Sequence, residues 1–341
     1  MKYWRISSIR GKRVRGLFLA GLCAAAVLAA LLSICLGAVP VALPEVFRTL
    51  LGGGAGTVQA RIVLYARLPR TCGCLLAGAA LALSGAVIQG VLNNPLAAPN
   101  TIGVNAGAGL MAALCCGLFP GAAVLVPLAA FAGALAGVLL VLAIAERTGA
   151  SRITLILAGV AVSSMFSAGI DAVVTFVPDA LNGYSDFRIG GLANVSMARI
   201  APAFWVILAA AVAVLSLSGE LDILLLGTDT AQSLGLAAKP MRLLFLALAA
   251  ALAGAAVSFA GLLGFVGLIV PHIMRRLVGE ESFVLLVSSA LGGAILLTVC
   301  DLAARTLFAP YELPVGIMLA FVGGPFFIWL LLHQRGGRTH D

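Results

Sequence analysis

The chain is 341 residues long, 62% hydrophobic and only 10% charged, against roughly a quarter charged in an ordinary soluble domain. So little charge cannot cover the surface of a globule, and a mean hydropathy of +1.14 over the whole length excludes a soluble enzyme with one anchor and leaves a polytopic, all-α membrane protein. The excess of 21 basic over 13 acidic residues fits the gathering of Lys and Arg on one side of a membrane better than it fits a nucleic-acid binder.

The N-terminus carries six basic residues between Lys2 and Arg15 and then an apolar run over 17–44. That run is too long for a signal peptide, which predicts a retained first span with its tail (1–16) in the cytosol. Charge-free stretches of about 20 residues predict further spans, giving helices at 17–38, 71–92, 101–118, 122–145, 153–175, 200–218, 283–304 and 314–332. The run 101–145 is divided at Phe119-Pro120-Gly121, a turn signal in a stretch too long for one crossing. Between Arg242 and Arg275 lie 32 residues without a charge, too many for one crossing of ~30 Å and few for two. Basic residues at both ends place both on one side, so the segment goes out and returns as helices at about 242–260 and 265–276 around Gly261-Leu262-Leu263-Gly264. Ten spans result, forming a transmembrane domain over 17–332 with a short cytosolic tail, 333–341. Fourteen basic residues then fall inside and seven outside, which places both termini in the cytosol.

A sequence echo links Gly78-Ala79-Ala80, Gly85, Leu92 and Pro95 to Gly254-Ala255-Ala256, Gly261, Leu268 and Pro271 at a constant offset of 176 residues. It joins spans of opposite direction, the mark of an inverted repeat. Gly103…Gly107 and Gly133…Gly137 have the four-residue spacing that lets helices approach closely in lipid. The seven cysteines sit in apolar runs without zinc-site spacing and read as small packing residues. No phosphate-cradling Gly-x-x-x-x-Gly-Lys-Ser/Thr occurs and the three histidines are scattered, so neither a catalytic residue nor a resident metal or cofactor is expected.

Polar positions narrow the function. Asp171 and Asp301 are the acids well inside predicted spans, where charge is costly. Asp301 has Arg305 four residues on for an ion pair; Asp171, in the outer half of its span, would line a cavity open to the outside. After the second span, Gln89, Asn93 and Asn94 lead into Pro95-Leu96-Ala97-Ala98-Pro99, a defined turn at the cytosolic face beside the pathway. Residues 224–235 read as a short cytosolic helix, with Thr228 or Asp229 capping its start and Gly235 ending it. Leu234 and Leu236 would be exposed there, which points to protein docking; a helix resting on headgroups is the alternative. Outside, Arg67, Arg70 and Arg305 form either lipid-phosphate anchors or a basic site for an acidic partner.

At these residues the sequence resembles the FecCD-type permeases, the membrane subunits of ATP-binding-cassette importers for iron–siderophore complexes, haem and vitamin B12. The resemblance rests on Arg67-Leu68-Pro69-Arg70, on the stretch from Gly78 to Gln89 running into Asn94-Pro95-Leu96-Ala97-Ala98-Pro99, and on Ile102-Gly103-Val104-Asn105-Ala106-Gly107. It continues through Leu157-Ala158-Gly159, residues 224–236, Gly264-Phe265-Val266-Gly267-Leu268-Ile269-Val270-Pro271-His272 and Glu312-Leu313-Pro314-Val315-Gly316. It implies ten helices per subunit, a homodimer around the path, two cytosolic ATPase subunits that hold ATP and Mg, and a soluble binding protein outside. It further implies that Leu224, Thr228, Asp229, Gln232, Leu234 and Gly235 dock the ATPase, and that Arg67, Arg70 and Arg305 receive the binding protein. Ala150 and Ser151 would stand at the cytosolic gate, with alanine where relatives carry a small hydroxyl residue. Ile189-Gly190-Gly191-Leu192 also departs from relatives, which often carry an aromatic residue and methionine before the glycine. The rival is an ion-gradient-driven carrier, which would use intramembrane acids near the midplane.

Overall fold

The computed structural model describes residues 12–37, 39–53, 56–122, 124–147 and 152–334. All of the regular structure in them is helical. In chain order the helices are α1 (Lys12–Cys35), α2 (Leu43–Leu50), α3 (Val58–Arg61), α4 (Leu68–Leu92), α5 (Val104–Leu118), α6 (Leu125–Arg147), α7 (Arg152–Phe176) and α8 (Ala180–Ile189). They are followed by α9 (Met197–Ser216), α10 (Ser218–Leu225), α11 (Thr228–Ser233), α12 (Ala238–Ala260), α13 (Val266–Val278), α14 (Ser282–Thr306) and α15 (Val315–Gln334). Among the described residues seven helical stretches are long and apolar enough to cross a membrane, and α5 and α15 are shorter apolar helices; the short α13 occupies the place of the remaining expected span. Inner and outer denote the two ends as the basic-residue count assigns them.

Three departures from the sequence expectation have local causes. The first span ends at Cys35, not residue 38, and a second short helix, α2, follows it. Its start has Pro44 in the first turn, where the missing N–H costs nothing, and Glu45 at the positive end of the helix dipole. The second span begins at Val58 and runs without a break to Leu92. Arg61, Arg67 and Arg70 hide its start in the sequence, and Pro69 would ordinarily break it. A π-helical turn over Ile62–Arg67 widens the backbone just ahead of Pro69, giving room where the ring would otherwise meet the carbonyl one turn back.

α4 is the buried axis of the bundle, packed against α12, α13 and α14. Close crossings are made by facing glycines. The two four-residue glycine pairs meet each other: a Cβ on Gly107 would overlap the Gly133 carbonyl oxygen, and one on Gly137 would lie 2.7 Å from that of Gly103. Gly85 of α4 likewise meets the Gly267 backbone of α13. With lipid as apolar as leucine, this backbone-to-backbone contact holds the helices together. α13 is only 13 residues long, about 20 Å at the α-helical rise, so it returns partway, as the 242–276 charge pattern predicts.

Candidate functional site

The inner surface is organised by residues 218–237. The single helix predicted over 224–235 is two helices, broken at Leu226-Gly227, and the cap differs from expectation. Gly227 (φ +104°) precedes α11 and neither Thr228 nor Asp229 serves as its cap. The C-terminal end is as read. Gly235 adopts φ +83°, its N–H bonds to Gln232 O at 2.9 Å and the Leu236 N–H to Ala231 O at 2.9 Å, the paired bonds of a Schellman ending. Leu224 is buried as a packing residue of α10, while Asp229, Gln232 and Gly235 are exposed and Thr228 is half-buried. Leu226 and Leu234, each 61% exposed, stand out from this segment as apolar side chains on a polar turn. Arg242 of α12 donates to Thr228 Oγ1 at 3.2 Å, and the Ser282 N–H of α14 donates to Asp222 Oδ1 at 2.9 Å.

The turn after α4 is built by side chains read as pathway candidates. Asn93 takes the left-handed conformation (φ +47°), its N–H bonding to Gly90 O and that of Asn94 to Gln89 O, so asparagine does here what glycine does after α11. Asn94 Oδ1 accepts the Leu96 N–H at 2.9 Å. Gln89 is buried; its amide donates to Gly267 O at 3.2 Å and accepts from Arg275 at 3.0 Å. It locks α4 to α13 rather than facing an open channel. Ala150 and Ser151, the expected gate residues, lie outside the described residues.

At the outer end the expectation of a basic surface is overturned. Arg67, Arg70 and Arg305 are 6%, 9% and 5% exposed. Arg67 donates to the carbonyls of Ile34 (2.8 Å), Cys35 (2.9 Å) and Val39, and Arg305 to Leu36 O (2.9 Å), Ser33 O and Ser33 Oγ (2.9 Å). The two guanidiniums thus satisfy the carbonyls left open where α1 stops, and they sit at the negative end of its dipole. Arg70 bonds both oxygens of Asp301 through Nε at 3.1 and 3.0 Å, and Glu312 at 2.7 Å. The expected Asp301–Arg305 pair is present at 3.5 Å but is the looser of the two. A fully buried carboxylate between two guanidiniums needs no further cation.

Beside this cluster lies a cavity of about 450 Å³. Arg70, Asp186, Asn194, Arg199, Ser258 and Glu312 supply its polar wall, and Ile189, Gly190, Gly191 and Leu192 another part of it. The departure noted in the sequence is therefore in the wall of an outer cavity. Gly190 O accepts from Gly316 N (3.2 Å) and Gly191 N donates to Ala260 O (2.9 Å), stitching the segment after α8 to the end of α12 and the start of α15. Asp171 lies on the exposed face of α7, in one stripe with Ser164, Ser167 and Thr175 at three- and four-residue spacing. Sequence reasoning gave no role to Asp222, Ser33 or Glu312. Ser33 and Asp222 carry no local signal, since their partners are 272 and 60 residues away; Glu312 could have been flagged as an acid two residues before a proline at the head of a span.

Comparison with known proteins bears directly on this arrangement. The model of the FecCD transport family matches residues 25–333. The hemin transport system permease protein of Yersinia pestis is 36% identical over 86% of this chain and 90% of its own length. The Fe(3+) dicitrate transport system permease protein of Escherichia coli is 38% identical over 90% and 95%, and an Fe(3+)-citrate import system permease protein of Bacillus subtilis 39% identical over 79% and 81%. Among solved structures, a metal-chelate type ABC transporter in an inward-facing conformation superposes with a TM-score of 0.84 at 30% identity, covering 93% of this chain and 99% of its own.

Proposed function

The chain belongs to the FecCD transport family, and from that premise we propose that it is the transmembrane permease subunit of an ATP-driven importer for a ferric chelate. Two copies enclose the path, two ATPase subunits that bind ATP and Mg dock from the inside, and a soluble binding protein delivers cargo from the outside. The observation that carries the reading is the inner projection of Leu226 and Leu234, both exposed, on a segment bonded to α12 and α14. Two exposed leucines among polar residues are stabilised when a partner covers them, and the bonds behind them give a push applied there something rigid to act on.

The polar stripe of α7 supports the pairing of two copies. A carboxylate turned to acyl chains costs several kcal/mol, so Asp171 with Ser164, Ser167 and Thr175 is better accounted for by a wet path between subunits. Transport then follows from differential binding: ATP holds one arrangement of the partner subunits, its release another, and the bundles rock so that the path opens to one side at a time. An ion-gradient carrier is disfavoured, because Asp301, fully buried, is already neutralised by Arg70 and Arg305. The inner membrane of a bacterium with both termini cytosolic is the location this reading requires.

For the cargo, relatives named for hemin and for Fe(3+) dicitrate support an iron complex, a ferric siderophore first and haem or a corrinoid next. The test is competition: proteoliposomes holding the assembled transporter are loaded with ATP and offered a radiolabelled ferric hydroxamate. Unlabelled ferric hydroxamate or ferric citrate is expected to suppress uptake. ATP-dependent uptake of none of the ferric complexes, haem or cobalamin would overturn the reading.

A further inference from the structure

We propose that Asp222 is a positioning residue that couples the docking segment to the transmembrane bundle, acting through its hydrogen bond to the first turn of α14. This deepens the importer reading and rests on it.

A helix ordinarily satisfies its first N–H groups with a cap from its own chain, and it attracts negative charge to its first turn. At α14 the N-cap, Glu281, brings negative charge but no cap bond: its side chain bonds none of the open N–H groups and pairs with Arg15, and no acidic residue lies in the first turn. The acceptor comes instead from α10, whose Asp222 Oδ1 takes the N–H of Ser282 at 2.9 Å. Ser282 is buried and Asp222 half-buried, so the bond is partly shielded from competing water. It is also charge-assisted, and therefore stronger than a bond between neutral groups.

The rest of α10 is held by apolar contact. Leu221 and Leu224 are buried, and a Cβ on Gly90 of α4 would lie 3.5 Å from Leu221 and 3.7 Å from Leu225. Such contact is non-directional and lets a helix slide; a hydrogen bond to a helix end does not. Asp222 therefore fixes the direction in which α10 can pull. α14 then runs 25 residues, about 37 Å at the α-helical rise. At its far end Asp301 and Arg305 hold Arg70 and the end of α1. A displacement received at Leu226 and Leu234 thus reaches the wall of the outer cavity through one unbroken helix, with Asp222 as its point of attachment.

The test removes this bond from each side. Asp222→Ala takes away the acceptor, and Ser282→Pro the donor. Proline suits the first helical position, and Glu281 at φ −62°, ψ 117° has the extended backbone that a residue before proline adopts. Asp222→Asn keeps Oδ1. Each variant is assembled with its ATPase and binding protein in proteoliposomes and offered ferric citrate, ferric hydroxamate or haem, whichever the wild-type complex accumulates. In D222A, S282P and the double variant, pull-down of the ATPase and basal ATP hydrolysis are expected to stay near wild type. ATP consumed per chelate is expected to rise about fivefold or more. The double variant should match the singles, since all three lack the same bond, and D222N should stay close to wild type. An unchanged ATP-to-chelate ratio in both single variants, loss of the ATPase in pull-down, or effects that multiply in the double variant would overturn the proposal. A wild-type complex without ATP-dependent uptake would instead overturn the importer reading itself.

Discussion

Asp301 shows how much one residue carries at the outer end. Its carboxylate is fully buried and shared by Arg70 and Arg305, and removing one member of such a set leaves uncompensated charge, at a cost of about 3–5 kcal/mol. Asp301→Ala should therefore lower the thermal midpoint of the detergent-solubilised chain by many degrees and expose the segment after α1 to protease. Charge reversal at Arg67 or Arg70 should act the same way, through folding, since the first holds the end of α1 and the second Asp301. A variant that melts like wild type would show these bonds to be dispensable. The sequence shows these arginines but not their burial, because Arg70 and Asp301 are 231 residues apart and no pattern of spacing joins them. Glycine is more legible. The spacing of Gly103, Gly107, Gly133 and Gly137 announces a close crossing, and the crossing is there. Gly85→Ala would drive a methyl group into the Gly267 backbone, whereas Gly21 has open space around it. The first substitution should cost about 1–3 kcal/mol and the second nothing; equal melting temperatures would contradict that contact.

Among the elements, the proposed docking pair α10–α11 has the clearest consequence. Leu234 is exposed and makes none of the described core, so Leu234→Asp should leave insertion and stability unaltered while the ATPase is lost from detergent pull-down. Normal recovery of the ATPase would remove the docking role from this segment. The position of the pair is readable from composition, since a capped polar turn interrupts two apolar runs; its break at Gly227 is not, because Leu224 to Leu226 continue the helical pattern up to it. The early start of the second span was hidden for a related reason. Three arginines and Pro69 look like the end of an apolar run; the π-helical turn makes room for Pro69, α1 and Asp301 supply acceptors for Arg67 and Arg70, and Arg61 is exposed.

For the whole molecule, length and charge carry far: ten apolar helices, including the out-and-back pair α12 and α13, follow from counting charge-free residues against the width of a bilayer. What counting does not give is which surfaces meet. The buried axis formed by α4, the ties from α10 to α14 and the outer cavity all depend on contacts between residues far apart in sequence. As proposed, the chain is a lipid-embedded conduit without an energy source of its own, moved from the inside by subunits that spend ATP. The most direct test is energetic. Proteoliposomes containing the permease with its ATPase and binding protein should accumulate a ferric chelate only with ATP, lose that activity in vanadate and keep it when a protonophore collapses the ion gradient. Accumulation by the permease alone, powered by an ion gradient without ATP, would contradict the account.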